Sequence, residues 1–158
     1  MTGSPGPSGS RVALVCSSGG HLAQLCSLRP WWLRRPRLWV SFDTEDARSL
    51  LTGENVVWAH HPTTRNLPNA LRNLRLAWVV LRRYRPALVV SDGAGVAVPF
   101  FLAARALRIP TVFVEVYDRI DEPTLTGRLC YPLSNLFLLQ WAEQRRFYPR
   151  GQLLGRLL

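Results

Sequence analysis

Two short stretches combine small, flexible residues with side chains able to move a proton or hold an anion. The first is Ser17–His21, "SSGGH", directly after the apolar run "RVALVC". Glycines at 19 and 20 let the backbone approach a ligand closely, and a helix starting there offers free N–H groups and positive potential. That combination suits phosphate. Ser18, Gly19 and Gly20 are candidate anion-binding residues, and His21 is a candidate general base. The same residues also make a plain tight turn with Ser17 or Ser18 as helix cap. The spacing is not G-x-G-x-x-G, and the chain has no lysine for a P-loop.

The second stretch is "SDGAG" at 91–95. Gly93 and Gly95 again permit close backbone approach. Asp92 can accept from a sugar hydroxyl or cap the next helix. Glu115, Asp118 and Arg119 follow another apolar run. An unpaired carboxylate at Glu115 would be expensive, so it either pairs with an arginine or meets a ligand. Arg65 and Asn66 sit in the turn-rich "HPTTRNLPN"; Arg65 is either solvated or phosphate-binding.

These groups share one property: each follows a short apolar run. Strands are expected at 11–16, 37–42, 55–60, 86–91, 110–116 and 135–140. Helices are expected at 21–28, 45–51, 69–84 and 95–107, with a further short one before the last strand. In the 69–84 helix Leu67, Leu71, Leu74, Trp78 and Leu81 recur at three- and four-residue steps. Apolar strands alternating with helices imply an α/β, doubly wound, mainly parallel, Rossmann-like sheet. Such sheets bind ligands outside the carboxyl ends of the strands, where the candidate residues fall.

The 158 residues suffice for one domain, expected at 11–158 behind an uncharged, disordered Gly/Ser/Pro-rich tail at 1–10. The net charge is +10, with all 20 basic residues arginine. An anionic membrane, a phosphorylated substrate and nucleic acid are the partners such charge suits. Cys16, Cys26 and Cys130 are odd in number and match no metal spacing, which suits a reducing cytoplasm. No apolar run reaches the length of a membrane span. Two segments suit a membrane surface instead. Trp31 and Trp32 stand beside Arg34 and Arg35, and Arg72, Arg75, Arg82 and Arg83 share a helix side with Leu76 and Val79, the opposite side carrying Leu74, Ala77, Leu81 and Tyr84 for the core. An ordinary solvated basic face gives the second pattern as well.

Taken in order, "CSSGGHLAQL", "SDGAGVAVPFFLAARALRIPTVFVEV" and "TGRLCYPLSNLFLLQWAEQRRFYPRGQLLG" resemble one family along about 11–158. It is the acceptor-side, membrane-recruiting subunit of two-component N-acetylglucosaminyl and related glycosyltransferases. The resemblance implies the N-terminal half of a GT-B enzyme of the MurG type. A separate partner chain would bind the UDP-sugar. The acceptor would be a polyprenyl-diphosphate-linked sugar, with its diphosphate on Gly19–Gly20 and charge support from Arg65 or Arg119. His21 matches the family's candidate base. Gly93, Ala94 and Gly95 match its second Gly-rich turn, Glu115 and Arg119 its Glu…Arg segment, and Gln140, Trp141 and Glu143 its "QW-E" segment.

Asp92 departs from the small residue expected there, and "EVYDR" lacks the usual serine after the glutamate; both point to a different sugar. The eukaryotic member's apolar N-terminal anchor is missing. That implies a bacterial capsule or exopolysaccharide branch, bound peripherally at the cytoplasmic face of the membrane. No cofactor, metal or nucleic acid is expected, since no DxD-like pair or nucleic-acid motif occurs. A self-contained Rossmann enzyme and a non-enzymatic basic binding module are the alternative readings.

Overall fold

The computed structural model describes residues 10–157, so the expected tail at 1–10 lies outside the described residues except for Ser10. Seven strands are present: β1 (Val12–Val15), β2 (Arg37–Phe42), β3 (Val56–Ala59), β4 (Leu88–Ser91), β5 (Thr111–Val114), β6 (Leu136–Leu139) and β7 (Gln152–Leu153). They form one sheet in the order β3-β2-β1-β4-β5-β6-β7, and every neighbouring pair is parallel. The first six match the expected runs. β7 is two exposed residues, too short for an apolar period to mark it.

Six α-helices cover the sheet: α1 (Gly20–Ser27), α2 (Arg29–Trp32), α3 (Glu45–Leu50), α4 (Leu67–Tyr84), α5 (Ala97–Ala106) and α6 (Leu125–Cys130). Strand side chains alternate between two cores, which is why the central strands read as unbroken apolar runs. Leu14, Cys16 and Trp39 pack with Leu22 and Leu25 of α1, Trp32 of α2 and Ala47 of α3. Ala13, Val15 and Val40 pack with Ala77 and Leu81 of α4, Phe100 and Phe101 of α5 and Cys130 of α6.

This layering separates the two segments expected to meet one membrane: α2 and α4 lie on opposite faces of the sheet. Trp32 is also buried, with its Nε1 donating to the Leu25 carbonyl at 2.9 Å and its ring edge-on to Trp39. It is a core residue. Trp31, Arg34 and Arg35 stay near the surface, with Arg35 stacked over Trp31.

Helix α4 starts two residues earlier than expected, because Asn66 caps it by accepting from the Asn69 amide at 3.0 Å. Its buried residues are Asn69, Asn73, Ala77 and Leu81, and Leu74 packs against the core, so the expected core side is largely the one found. Leu67, Leu71 and Trp78 face outward. The asparagines continue the buried side toward the start of the helix. Asn73 accepts from the His60 amide (2.8 Å) and donates to the His60 carbonyl (2.9 Å), and Asn69 donates to the Pro62 carbonyl (2.8 Å). They satisfy backbone groups of the loop that leaves β3 where it passes over α4.

Substitution on the two stripes checks this orientation. Asn73→Leu strands both backbone groups of His60 and should lower stability by about 2–4 kcal/mol in urea unfolding. Leu71→Ser should stay within about 0.5 kcal/mol. The reverse ranking would mean that the leucine stripe faces the core.

Candidate active site

β1 and β4 are adjacent, and the chain leaves them toward opposite ends of the sheet. A crevice opens at such a switch point, outside the carboxyl ends of the strands. His21, in the first turn of α1, reaches across it to the loop after β4. Its Nδ1 lies 3.2 Å from the Asp92 carbonyl oxygen and 3.5 Å from Asp92 Oδ1. A carbonyl and an ionised carboxylate only accept, so Nδ1 carries a proton, and Nε2 keeps its lone pair whenever the ring is neutral. The imidazole borders a cavity of about 470 Å³ that Thr63, Thr64, Arg119 and Thr126 also line.

Asp92 is fully buried, and burial pushes its carboxyl up to about 6 against the pull of His21 and Gln24. Burial acts to lower the imidazole, but the hydrogen bond and charge of Asp92 outweigh it, so His21 sits above its usual range. Asp92 caps no helix; it borders the cavity with no exposed surface, and its side chain meets His21 and Gln24.

The glycines divide into two groups. Gly93 has φ +117, and a Cβ there would stand 3.2 Å from His21 Cε1. A Cβ on Gly95 would stand 2.8 Å from the Cβ and Oγ1 of Thr63. Both therefore make room for the protein's own side chains. Gly19 (φ +72) and Gly20 face open space. The Gly19 amide, however, donates to Asp46 Oδ2 at 2.8 Å, so a carboxylate from α3 already occupies that donor. Neither Ser17 nor Ser18 caps α1; Ser17 Oγ donates to the Ser18 carbonyl instead. Gly20 borders a second hollow of about 350 Å³ beside His21 and Gln24.

The other expected residues sort by burial. Arg119 lines the main cavity and pairs with Glu122. Arg65 lies just beyond, on an apolar groove that joins the cavity. Asn66 is occupied as a helix cap. Glu115 is neither paired with arginine nor open to a ligand. It is fully buried and accepts from the Val116 amide (2.9 Å), Thr124 Oγ1 (3.1 Å) and the Tyr148 hydroxyl. It anchors the loop that carries Asp118 and Arg119. Trp141 and Gln144 hold the same loop by donating to the Tyr117, Val116 and Arg119 carbonyls.

Gln24, Thr63, Thr64 and Thr126 were not singled out in the sequence. Gln24 carried a signal: three residues after His21, it shares a helix face with it. The threonines lie in turns, where hydroxyls are common.

The raised carboxyls set the sign of a pH effect. Folded Asp92 holds its proton up to about 6, while the unfolded group releases it in the ordinary carboxylate range. Stability from this difference is present near pH 4 and lost as pH rises through about 6. Glu115, raised by burial, and His21, raised on balance, lean the same way. Denaturant stability should therefore fall between pH 4 and 7, less steeply in Asp92→Asn. Equal slopes would contradict the burial of an ionisable Asp92.

Residues 59–157, more than half of the chain, match the family described as "Oligosaccharide biosynthesis protein Alg14 like". The mouse UDP-N-acetylglucosamine transferase subunit ALG14 is 24% identical over 180 residues, covering 94% of this chain and 83% of its own length. A UDP-N-acetylglucosamine–N-acetylmuramyl-(pentapeptide) pyrophosphoryl-undecaprenol N-acetylglucosamine transferase from Syntrophotalea carbinolica is 31% identical over 55% of this chain and 24% of its own. Among solved structures, Acinetobacter baumannii MurG superposes with a TM-score of 0.71 at 17% identity, over 85% of this chain and 42% of MurG. Neisseria meningitidis UDP-GlcNAc 2-epimerase gives 0.69 at 14% identity, over 86% of this chain and 42% of its own. The chain thus spans less than half of the solved structures it resembles, and the expected half-enzyme fold is the one found. The expected capsule or exopolysaccharide branch finds no support among these relatives. By the pattern over residues 59–157, carried on a seven-stranded Rossmann-like sheet, the chain belongs to the Alg14-like family.

Proposed function

We propose that this chain is the acceptor-side subunit of a two-chain, inverting UDP-sugar glycosyltransferase that works on a polyprenyl-diphosphate-linked sugar. A separate partner chain binds the UDP-sugar and completes the site. One observation carries the reading: a polar cavity holding a histidine with a free Nε2 runs into an apolar groove of about 490 Å³. Thr63, Thr64, Gly95 and Thr126 line both. This gradient of polarity matches an acceptor with a sugar diphosphate at one end and an isoprenoid chain at the other.

His21 Nε2 takes the proton of the acceptor hydroxyl as its oxygen attacks the anomeric carbon, and UDP leaves with the electron pair of the broken bond. The new imidazolium rests against the Asp92 carboxylate. With the Gly19 amide already holding Asp46, the diphosphate falls to Arg65, Arg119 and the threonine hydroxyls where cavity meets groove. Ser18 and Gly19 lie outside the cavity lining, although Ser17 of the same turn borders it.

The groove runs between α4, α5 and α6, where Leu67, Leu71, Leu102, Leu125 and Leu129 are exposed. Exposed Arg72, Arg75, Arg105 and Arg128 stand on the same three helices. Apolar side chains among arginines suit an anionic bilayer surface at the cytoplasmic leaflet. No described helix is long and apolar enough to cross a membrane. The Trp31, Arg34 and Arg35 segment lies on the other face and is not part of this surface.

Two measurements test the proposal. In the co-expressed pair, His21→Ala should slow transfer from UDP-N-acetylglucosamine to a lipid-diphosphate acceptor by about 10²–10⁴-fold while partner binding persists. Unchanged turnover would remove the base assignment. In sedimentation with anionic vesicles, Leu71→Ser with Leu125→Ser, or Arg72→Glu with Arg75→Glu, should reduce binding. Arg34→Glu with Arg35→Glu should not, and the opposite pattern would move the membrane face to α2.

A further inference from the structure

A carboxylate held away from water needs its oxygens placed by donors. Asp92 Oδ2 accepts from Gln24 Nε2 at 3.1 Å, whereas Oδ1 is buried without a hydrogen-bond partner and has only His21 Nδ1 nearby, at 3.5 Å. The orientation of the Gln24 carboxamide is fixed by chemistry. Its Oε1 lies 3.3 Å from the Tyr117 backbone amide, which can only donate, so the NH₂ group must face Asp92. Gln140 is fixed in the same way. Its Nε2 donates to the Glu115 carbonyl at 2.9 Å and to Gln24 Oε1 at 2.6 Å, and its Oε1 accepts from the Leu157 amide at 3.0 Å. Gln24 and Gln140 are both buried, and the contacts named here account for each of their carboxamides.

We propose that Gln24 is a positioning residue for the base: its NH₂ pins one oxygen of Asp92 and leaves the other to His21, while Gln140 and the backbone of Tyr117 hold the carboxamide in that orientation. The assignment rests on the reading of His21 as base, and it extends that site to β6 and to the chain segment at Leu157. The arrangement makes chemical sense of two glutamines in a core. A neutral carboxamide supports the ionised form of Asp92 without adding a charge to compete with His21. The other titratable groups around the pair are Cys16 at the end of β1, Cys26 on α1 and Asp118 in the loop after β5. Burial pushes both thiols up, so they stay neutral near neutral pH. Asp118 faces the histidine across the second hollow.

The test is an NMR pH titration of the isolated chain, which needs neither the partner nor the sugar. The chain has three histidines, and His60→Gln and His61→Gln assign the signal of His21. In Gln24→Met, Asp92 loses a donor to its ionised form and keeps its proton to higher pH. His21 then loses its counter-charge, and its midpoint should move down from the wild-type position. Gln140→Met frees the Gln24 carboxamide and should move the midpoint the same way by less. It also serves if Gln24→Met does not fold. Asp92→Asn is the reference. If Asp92→Asn lowers the midpoint while both glutamine variants leave it in place, the glutamines are only filler and the proposal is overturned. If all three leave it in place, the proposal and the His21–Asp92 pairing fall together.

Discussion

The crevice is organised around a carboxylate placed where water does not reach. Asp92 directly follows β4 with no exposed surface, and an isolated ionised carboxylate there is strongly unfavourable. Its surroundings answer that problem in part. Gln24 supplies one donor, and Gly93 lacks the Cβ that would crowd the imidazole. One oxygen still has no hydrogen-bond partner, and the carboxyl sits at about 6. A group short of one donor in the resting state is best satisfied when His21 becomes an imidazolium. Under the proposed base mechanism, that shortage favours the charge distribution of the transition state over that of the ground state.

The strands and the positions of His21, Asp92 and Arg119 could be read from the sequence because a parallel sheet leaves little choice. Buried strands must be apolar throughout, and the loops after them must gather at one edge. The facing of α4 was legible in its C-terminal half, where Ala77 and Leu81 are buried, but not in its first turns. Its leucines repeat with helical spacing, yet Asn69 and Asn73 take the inner stripe because the loop after β3 needs partners for its backbone. Apolar periodicity records where oil meets oil and is silent about unpaired amides elsewhere in the chain. The same silence hid the environment of Glu115, whose hydroxyl partner Tyr148 lies far along the sequence. It also hid the use of the Gly19 amide by Asp46.

The Gly-rich turns show how two physical demands leave one mark. A glycine next to a strand end can admit a ligand or can admit the protein's own side chain. Gly93 and Gly95 do the second, for His21 and Thr63, while also bordering the cavity. The "QW-E" segment behaves likewise: Gln140 and Trp141 bond inward, to Gln24 and to the loop after β5. Much of what looks like a ligand signature is support one layer behind the cavity. Four threonines, Thr63, Thr64, Thr124 and Thr126, also line the cavity, and these are common residues that no local spacing distinguishes.

The hydrogen-bonded path from His21 to Gln140 has a consequence in time. Its first link joins residues 71 positions apart, and the link from Gln24 to Gln140 spans 116. Closing such distances is entropically costly and gains nothing until the intervening strands have paired. A nascent chain that has emerged only through β5 already holds the histidine, the aspartate and the first glutamine, but no Gln140 to lock them. The site is therefore completed only when β6 has joined the sheet and brought Gln140 to Gln24.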